Sequence, residues 1–354
     1  GVFKQPIQPD EVIAAMGKSD AGKKWLDELE KSKDPWFYFS TGTGFYHLHR
    51  SWIDDLTVPC LAIRGYIEKI EKGETLLRPT AEIRKERDRL AAEYTALMPT
   101  DEDKKAFQEQ LGLARTVFPY VENHNFYVEH WHHTVFWNKM REFGKVLVKN
   151  GFFKEVDDMF YLHRFEVQEA IYDLIGAWGS GGEARGPRYW PPIVEKRKAL
   201  FDKLKNYAPP PALGEPPDVV TEPFTVMLWG ITTENIQRWL KPQADSGAKE
   251  LKGFAASPGV VVGPARVITS VEELKDVQPG EILVCPVTTP SWAPIFTRIK
   301  ATVTDIGGMM SHAAIVCREY GLPAVVGTGF GTKTFKTGQM LRVDGMAGTV
   351  TALN

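Results

Sequence analysis

Gly307-Gly308-Met309-Met310-Ser311-His312-Ala313-Ala314-Ile315-Val316, continuing through Cys317 and Arg318 to Gly321-Leu322-Pro323-Ala324-Val325-Val326-Gly327, reads as a glycine turn, a short apolar helix and a buried strand. The preceding run, Ala301 to Ile306, is rich in Thr, Val and Ile and predicts another short strand. Two adjacent glycines permit a sharp turn and close backbone approach. Ser311 is an N-cap candidate, which puts His312 in the first helical turn. Free backbone N–H groups and the positive end of the helix dipole favour an anion there. Gly321 ends the helix and Pro323 prevents its continuation. On residues alone, two readings stand: a capping or core histidine in an ordinary βαβ unit, or an imidazole presented to carry a phosphoryl group. A neutral imidazole is a good nucleophile near pH 7 and, once phosphorylated, a reactive donor.

Outward from this stretch the chain divides into two regimes. After Gly253 it consists of short β-branched strands between glycine turns. Residues 1 to about 205 read mostly helical: Thr80–Leu97 places Ile83, Arg87, Leu90 and Tyr94 at helical spacing, Asp101–Leu113 continues the pattern, and Phe118–Asn150 is the longest periodic stretch. Val156–Trp178 reads as a short strand-like piece followed by a helix. Pro209-Pro210-Pro211 and Pro216-Pro217 make a rigid connector within about 206–223, Thr221–Ile231 is apolar and strand-like, and the polar segment 241–252 reads as a hinge. The expected fold is therefore multidomain α+β: a mostly helical domain over 1–240, a hinge over 241–252, and a small α/β domain over 253–354.

Composition removes several function classes. The chain has 354 residues, enough for roughly two domains, and 43% of them are apolar. A net charge of -2 argues against a nucleic-acid footprint. No run of about eighteen apolar residues suggests a membrane span, and no signal-peptide pattern opens the sequence. The three cysteines, Cys60, Cys285 and Cys317, are widely spaced and odd in number, as expected of reduced thiols in a cytoplasmic protein. The first residue is Gly1 rather than Met, as expected of a piece of a longer polypeptide.

Seven of the eight histidines precede residue 251. His124, His130, His132 and His133 stand among Phe126, Tyr127, Trp131 and Trp137; His47 and His49 lie in Gly42-Thr43-Gly44-Phe45-Tyr46-His47-Leu48-His49-Arg50. On a regular helix His124, Tyr127 and Trp131 share one face, and Phe126, His130, His133 and Trp137 another. Such a surface suits a flat ring, and a histidine within it suits proton transfer from an attacking hydroxyl. The competing reading is an aromatic core with satisfied histidines. His130 and His133 have zinc-compatible spacing, but no third ligand is evident and no metal is expected. Gly42-Thr43-Gly44 lacks the lysine of a P-loop.

The His312 stretch resembles the swivelling phosphohistidine domain of the phosphoenolpyruvate-utilising enzymes, which include phosphoenolpyruvate synthase, pyruvate phosphate dikinase and rifampin phosphotransferase. Their pattern Gly-Gly-x-x-Ser-His-x-Ala-Ile-x-x-Arg-x-x-Gly-x-Pro-Ala-Val-Val-Gly is matched throughout. Gly253-Phe254-Ala255-Ala256-Ser257-Pro258-Gly259 and Gly280-Glu281-Ile282-Leu283-Val284 resemble other parts of that domain. The likeness implies phosphohistidine at His312, with Gly307, Gly308, Ser311 and Arg318 at the phosphate. Glu122-Asn123-His124-Asn125-Phe126-Tyr127 and Asp157-Asp158-Met159-Phe160-Tyr161-Leu162 resemble the helical acceptor domain of the rifampin phosphotransferase type. The broadest likeness is to the histidine-bearing subunits of phenylphosphate synthases, carried by Pro35-Trp36-Phe37, Ser40-Thr41-Gly42-Thr43-Gly44, the run from Arg115 to His124, and the run from Phe136 to Glu142.

That resemblance implies ping-pong transfer from ATP, with AMP and phosphate released, through His312 to phenol or a similar aromatic alcohol. It makes His124 the candidate base and Arg50, Arg64 and Arg115 candidates for offsetting phosphoryl charge. Glu122, Asn125, Tyr127, His130, Trp131, His133 and Trp137 become candidates for the acceptor pocket. Nothing here resembles an ATP-grasp domain or a phosphoenolpyruvate-binding barrel, so ATP and Mg²⁺ (or Mn²⁺) are expected on a partner subunit of ATP-grasp type. The alternatives are a related transferase acting on a larger, rifamycin-like hydroxyl compound, or a phosphocarrier with no small-molecule site of its own.

Overall fold

The β-branched segments after Lys249 assemble into one sheet in the computed structural model, which describes residues 2–3, 7–42, 45–77, 80–204, 207, 214–240 and 249–353. Its strands are β1 (Glu250–Lys252), β2 (Phe254–Ser257), β3 (Val260–Val267), β4 (Ile282–Cys285), β5 (Ala301–Thr304), β6 (Ala324–Val326), β7 (Met340–Asp344) and β8 (Thr349–Ala352). The spatial order is β1-β8-β7-β3-β4-β5-β6-β2. Strands β3 to β6 are parallel, in the register Val267–Val284 and Val284–Val303, while β7, β8, β1 and β2 pair antiparallel. A mixed sheet thus carries a parallel centre, and the central strands β4, β5 and β6 are buried throughout, as strands covered on both faces must be.

One face of the sheet is closed by Ile282, Val284, Val303, Leu341, Val343 and Phe335. The other packs Leu283, Cys285 and Ala324 against Ala313, Ala314, Val316 and Cys317 of α11 (His312–Tyr320). Val58, of the helix α3 (Thr57–Glu71), belongs to that same cluster and meets Trp292, Ile295 and Phe296 of a 3₁₀ helix, Pro290–Thr297. Burial of one such aliphatic side chain is worth about 1.5–3 kcal/mol. The helical part is therefore docked on the α/β part through apolar contact at α3.

The helical part comprises α1 (Pro9–Met16), α2 (Asp20–Trp36), α3, α4 (Thr80–Leu97), α5 (Asp101–His124), α6 (His133–Lys149), α7 (Arg164–Ser180) and α8 (Gly186–Leu204). Leu147, Phe152, Met159, Leu174, Trp190 and Val194 form its own core. The periodic stretch Phe118–Asn150 is helical as expected, but not uniformly so. Asn125–His132 is a π-helix set between α5 and α6. Among the described residues no helix is long and apolar enough to cross a membrane.

Two local expectations are corrected. Val156–Tyr161 is a 3₁₀ helix rather than strand-like, because the Asp158 side chain reaches back to the N–H groups of Lys154 and Glu155 and closes a turn. The apolar segment near 221–231 forms helix α9 (Pro223–Trp229): Glu222 caps the N–H groups of Phe224 and Thr225, Pro223 opens the first turn, and Gly230 closes it at φ +68°. Helix α9 and the following α10 (Thr233–Leu240) are tied to the α/β part, through Trp229 to the Gly307 turn and through Arg238 to the Lys252 carbonyl. The bounds expected for the helical domain, 1–240, include both helices. Pro209–Pro211 and residues 241–248 of the expected hinge lie outside the described residues.

Candidate active site

His312 opens α11 as expected. The Ser311 side chain accepts from the Ala314 N–H at 3.4 Å, and Gly321 closes the helix at φ +66°. Parallel strands β4 and β5 end on the same side of the sheet, where α/β proteins commonly bind ligands. Thr288 follows β4 and His312 follows β5, and there the Thr288 hydroxyl stands 2.9 Å from His312 Nδ1. Phe296 meets the imidazole edge to face at 6.0 Å. Burial, and then the nearby His130, push the His312 pKa down to about 4, so the ring is neutral at pH 7.

The glycine turn has a different partner from the one the sequence suggests. The N–H groups of Gly307, Gly308 and Met310 donate to the carbonyls of Trp229 (3.1 Å), Leu228 (2.9 Å) and Met227 (2.8 Å) at the end of α9. A β-carbon on Gly308 would lie 2.3 Å from the Met227 carbonyl oxygen, so glycine is required there by backbone approach. Arg318 donates to the carbonyls of Ala256 (3.0 Å) and Met309 (2.8 Å), which fastens α11 to β2 and to the same turn.

The wall facing this end of the sheet comes from residues 36–42, from Trp52 and from the π-helix. Phe39 lies 4.4 Å from the His130 ring, 5.3 Å from Trp52 and 5.4 Å from Phe126. His130 is only 1% exposed, and its Nδ1 accepts the Ser40 backbone N–H at 3.2 Å. Burial first, then His133 and His49, depress its pKa to about 4. Next in the chain, the Thr41 carbonyl accepts from Trp292 Nε1 (3.3 Å) and from the Thr289 hydroxyl (3.4 Å). One dipeptide, Ser40-Thr41, therefore joins the His130 side of the site to the segment that touches His312.

The other sequence candidates fall in three places. His124, Glu122 and Tyr127 are exposed, with the His124 ring 6.2 Å from Tyr120, whereas His312 has Thr288, Phe296 and His130 as neighbours. Asn125 begins the π-helix, and Trp131 lies 6.2 Å from Tyr38 with its indole N–H buried and without a partner among the described residues. Arg50 and Trp137 join a second cluster: Arg50 pairs with Asp157 at 3.0 Å, Arg141 binds the same carboxylate at 2.9 Å, and His47 stacks on Phe160 at 4.2 Å beside Trp137. His133 bonds the Glu129 carbonyl at 3.0 Å. Arg64 pairs with Glu68 on α3 at 2.7 Å, and Arg115 with Asp88 across α4 and α5 at 3.3 Å. Among the described residues no group of three or more His, Cys, Asp or Glu is placed to hold a metal ion.

Thr288, Ser40 and Trp292 were not foreseen as site residues. The available signal was Thr288-Thr289-Pro290 straight after a buried strand, a capping pattern at the carboxyl end of a parallel strand.

Residues 277–348 match the family described as PEP-utilising enzyme, mobile domain. His312, Thr288 and α11 all fall inside this mobile-domain match. Relatives extend beyond it. The chain is 24% identical over 347 residues to "Uncharacterized phosphotransferase YvkC" of Bacillus subtilis, covering 98% of this chain and 39% of that protein. It is 33% identical over 207 residues to a rifampicin phosphotransferase of Bacillus cereus, covering 58% of this chain and 20% of that protein. It is 52% identical over 100 residues to a probable phosphoenolpyruvate synthase of Archaeoglobus fulgidus, covering 28% of this chain and 13% of that protein. The chain thus spans less than half the length of these curated relatives.

Proposed function

We propose that this chain is a phosphotransferase component in which His312 carries the phosphoryl group and passes it to the hydroxyl of an aromatic alcohol, phenol or a close analogue. The observation that carries this reading is the Thr288 contact. With Nδ1 held by the hydroxyl at 2.9 Å, Nε2 is the ring nitrogen left to bond phosphorus. The neutral state of the ring supports nucleophilic attack on a phosphoryl donor near pH 7. The donor is ATP, held with Mg²⁺ (or Mn²⁺) on an ATP-grasp partner subunit and cleaved to AMP and phosphate. The acceptor lies against the Phe39, Trp52 and Phe126 side of the site, where flat apolar surface favours a ring.

A second reading, transfer to a larger rifamycin-like hydroxyl compound, is favoured by the 33% identity to the rifampicin phosphotransferase. Isotope exchange between labelled phenol and unlabelled phenylphosphate separates the two. The phenol reading expects exchange by the wild type and none by His312→Ala. Absence of exchange by intact, folded protein, with transfer to a rifamycin instead, favours the second.

A further inference from the structure

We propose that His130 is a fixed hydrogen-bond donor to the phosphoryl group in flight, its Nε2–H aimed by the Ser40 backbone, and that it is not the base of the reaction. This rests on the reading of His312 as the phosphoryl carrier. The Ser40 backbone N–H can only donate, so the Nδ1 atom that it meets at 3.2 Å must present its lone pair. A neutral imidazole with its lone pair at Nδ1 carries its proton on Nε2. The tautomer is therefore set by the backbone, in the way that a partner at one ring nitrogen sets the state of the other.

The surroundings keep the ring in that state. His130 is 1% exposed and lies 4.4 Å from Phe39, so neither water nor free rotation can exchange its two edges. Ser40 is itself bridged to Ser51, and the Thr41 N–H bonds the Arg50 carbonyl at 2.7 Å. The Thr41 carbonyl then holds Trp292 and Thr289, the neighbours of the Thr288 that touches His312. Donor and carrier are thus referenced to one rigid piece of backbone. To act as base through Nε2, His130 would have to accept a second proton there, and the burial that holds its pKa near 4 opposes an imidazolium.

In the transfer step the acceptor oxygen bonds phosphorus as the bond from phosphorus to His312 Nε2 breaks, and that electron pair stays on Nε2. In sum the hydroxyl proton replaces phosphorus on the His312 ring. His130 ends the step as it began, neutral and protonated on Nε2, having met the charge on a phosphoryl oxygen with a preorganised N–H.

Nitrogen NMR of the full chain with ring-labelled histidines tests this at pH 7, before and after treatment with phosphoramidate, a small phosphoryl donor to imidazole. The expected result is the Nε2–H tautomer for His130 in both states, with its N–H signal displaced once His312 is phosphorylated. The Nδ1–H tautomer, an imidazolium, or a signal indifferent to phosphorylation overturns the proposal. A His312 that phosphoramidate leaves unmodified overturns the carrier reading and the donor role with it, and is recognised because the Nε2–H tautomer persists. Two variants add a kinetic arm, with phenylphosphate as substrate. His130→Gln keeps an N–H donor and cannot serve as base, so it should stay within about tenfold of wild type, whereas His130→Ala should fall by about 10²–10³. A Gln variant as inactive as the Ala variant, at full folded content, overturns the donor role.

Discussion

The Thr288 hydroxyl and His312 Nδ1 stand 2.9 Å apart, and they come from the ends of adjacent parallel strands. The pairing orients the imidazole and leaves its far nitrogen for chemistry. Thr288→Val keeps shape and burial but removes the hydroxyl. Loss of one such hydrogen bond is worth about 0.5–1.5 kcal/mol, so phenol–phenylphosphate exchange should slow by roughly two- to tenfold with a nearly unchanged melting temperature. Thr288→Ser should stay near wild type, and rates of phenol–phenylphosphate isotope exchange on the three proteins check this.

Glycine at position 308 is demanded by the carbonyls of α9. Gly308→Ala drives a methyl group against backbone oxygens at 2.3 and 2.5 Å, which cannot rotate away. Overpacking of this kind costs about 1–3 kcal/mol. We expect a lowered denaturation midpoint and faster proteolytic cleavage near α9, measured by chemical denaturation and limited trypsin digestion.

Acid should weaken the folded structure through two histidines. His130 and His312 both have pKa values depressed to about 4 by burial, against about 6.5 when unfolded. A depressed histidine is neutral in the fold and takes up its proton on unfolding. Its contribution is therefore fully present above about pH 6.5 and is lost as pH falls toward 4, by an amount on the order of a few kcal/mol. Denaturation midpoints at pH 7 and pH 5 should differ accordingly, and His130→Gln should shrink the difference.

Arg298 is 6% exposed, and among the described residues none of its three guanidinium nitrogens has a hydrogen-bond partner. It lies where the Pro290–Thr297 turn meets α3; burial chiefly lowers its pKa from the usual arginine value, Glu68 opposes the drop, Arg64 adds to it, and Glu281 opposes it again. A buried guanidinium without hydrogen-bond partners carries a desolvation cost that an apolar side chain does not. Arg298→Leu should therefore leave the thermal midpoint unchanged or raise it; a clear drop would show that the guanidinium is paired in solution.

Much of the α/β part was legible because its signals are local. Gly307-Gly308, Ser311, Gly321 and Pro323 each dictate a backbone event within four residues, and all lie where a turn, cap or stop was expected. The helical part was legible in type but not in detail. A π-helix over Asn125–His132 widens the turn, so the faces read at a period of 3.6 do not carry over through it. His130, not His124, consequently lies beside His312, and that depends on Ser40, ninety residues away in the chain. Helix α9 was misread because an apolar run of seven residues has no period long enough to decide, and the glutamate cap at Glu222 settles it locally. The pairing of Thr288 with His312 is a consequence of parallel strand order, which composition and spacing do not encode.

The most direct test of the account is to look for phosphate on His312 itself. After incubation of the intact chain with phenylphosphate, phosphorus NMR and tandem mass spectrometry should find an acid-labile phosphoryl group on Nε2 of His312, with phenol released in equal amount and no such signal in His312→Ala. Phosphate on another residue, or release of phenol without any phosphohistidine, would contradict it.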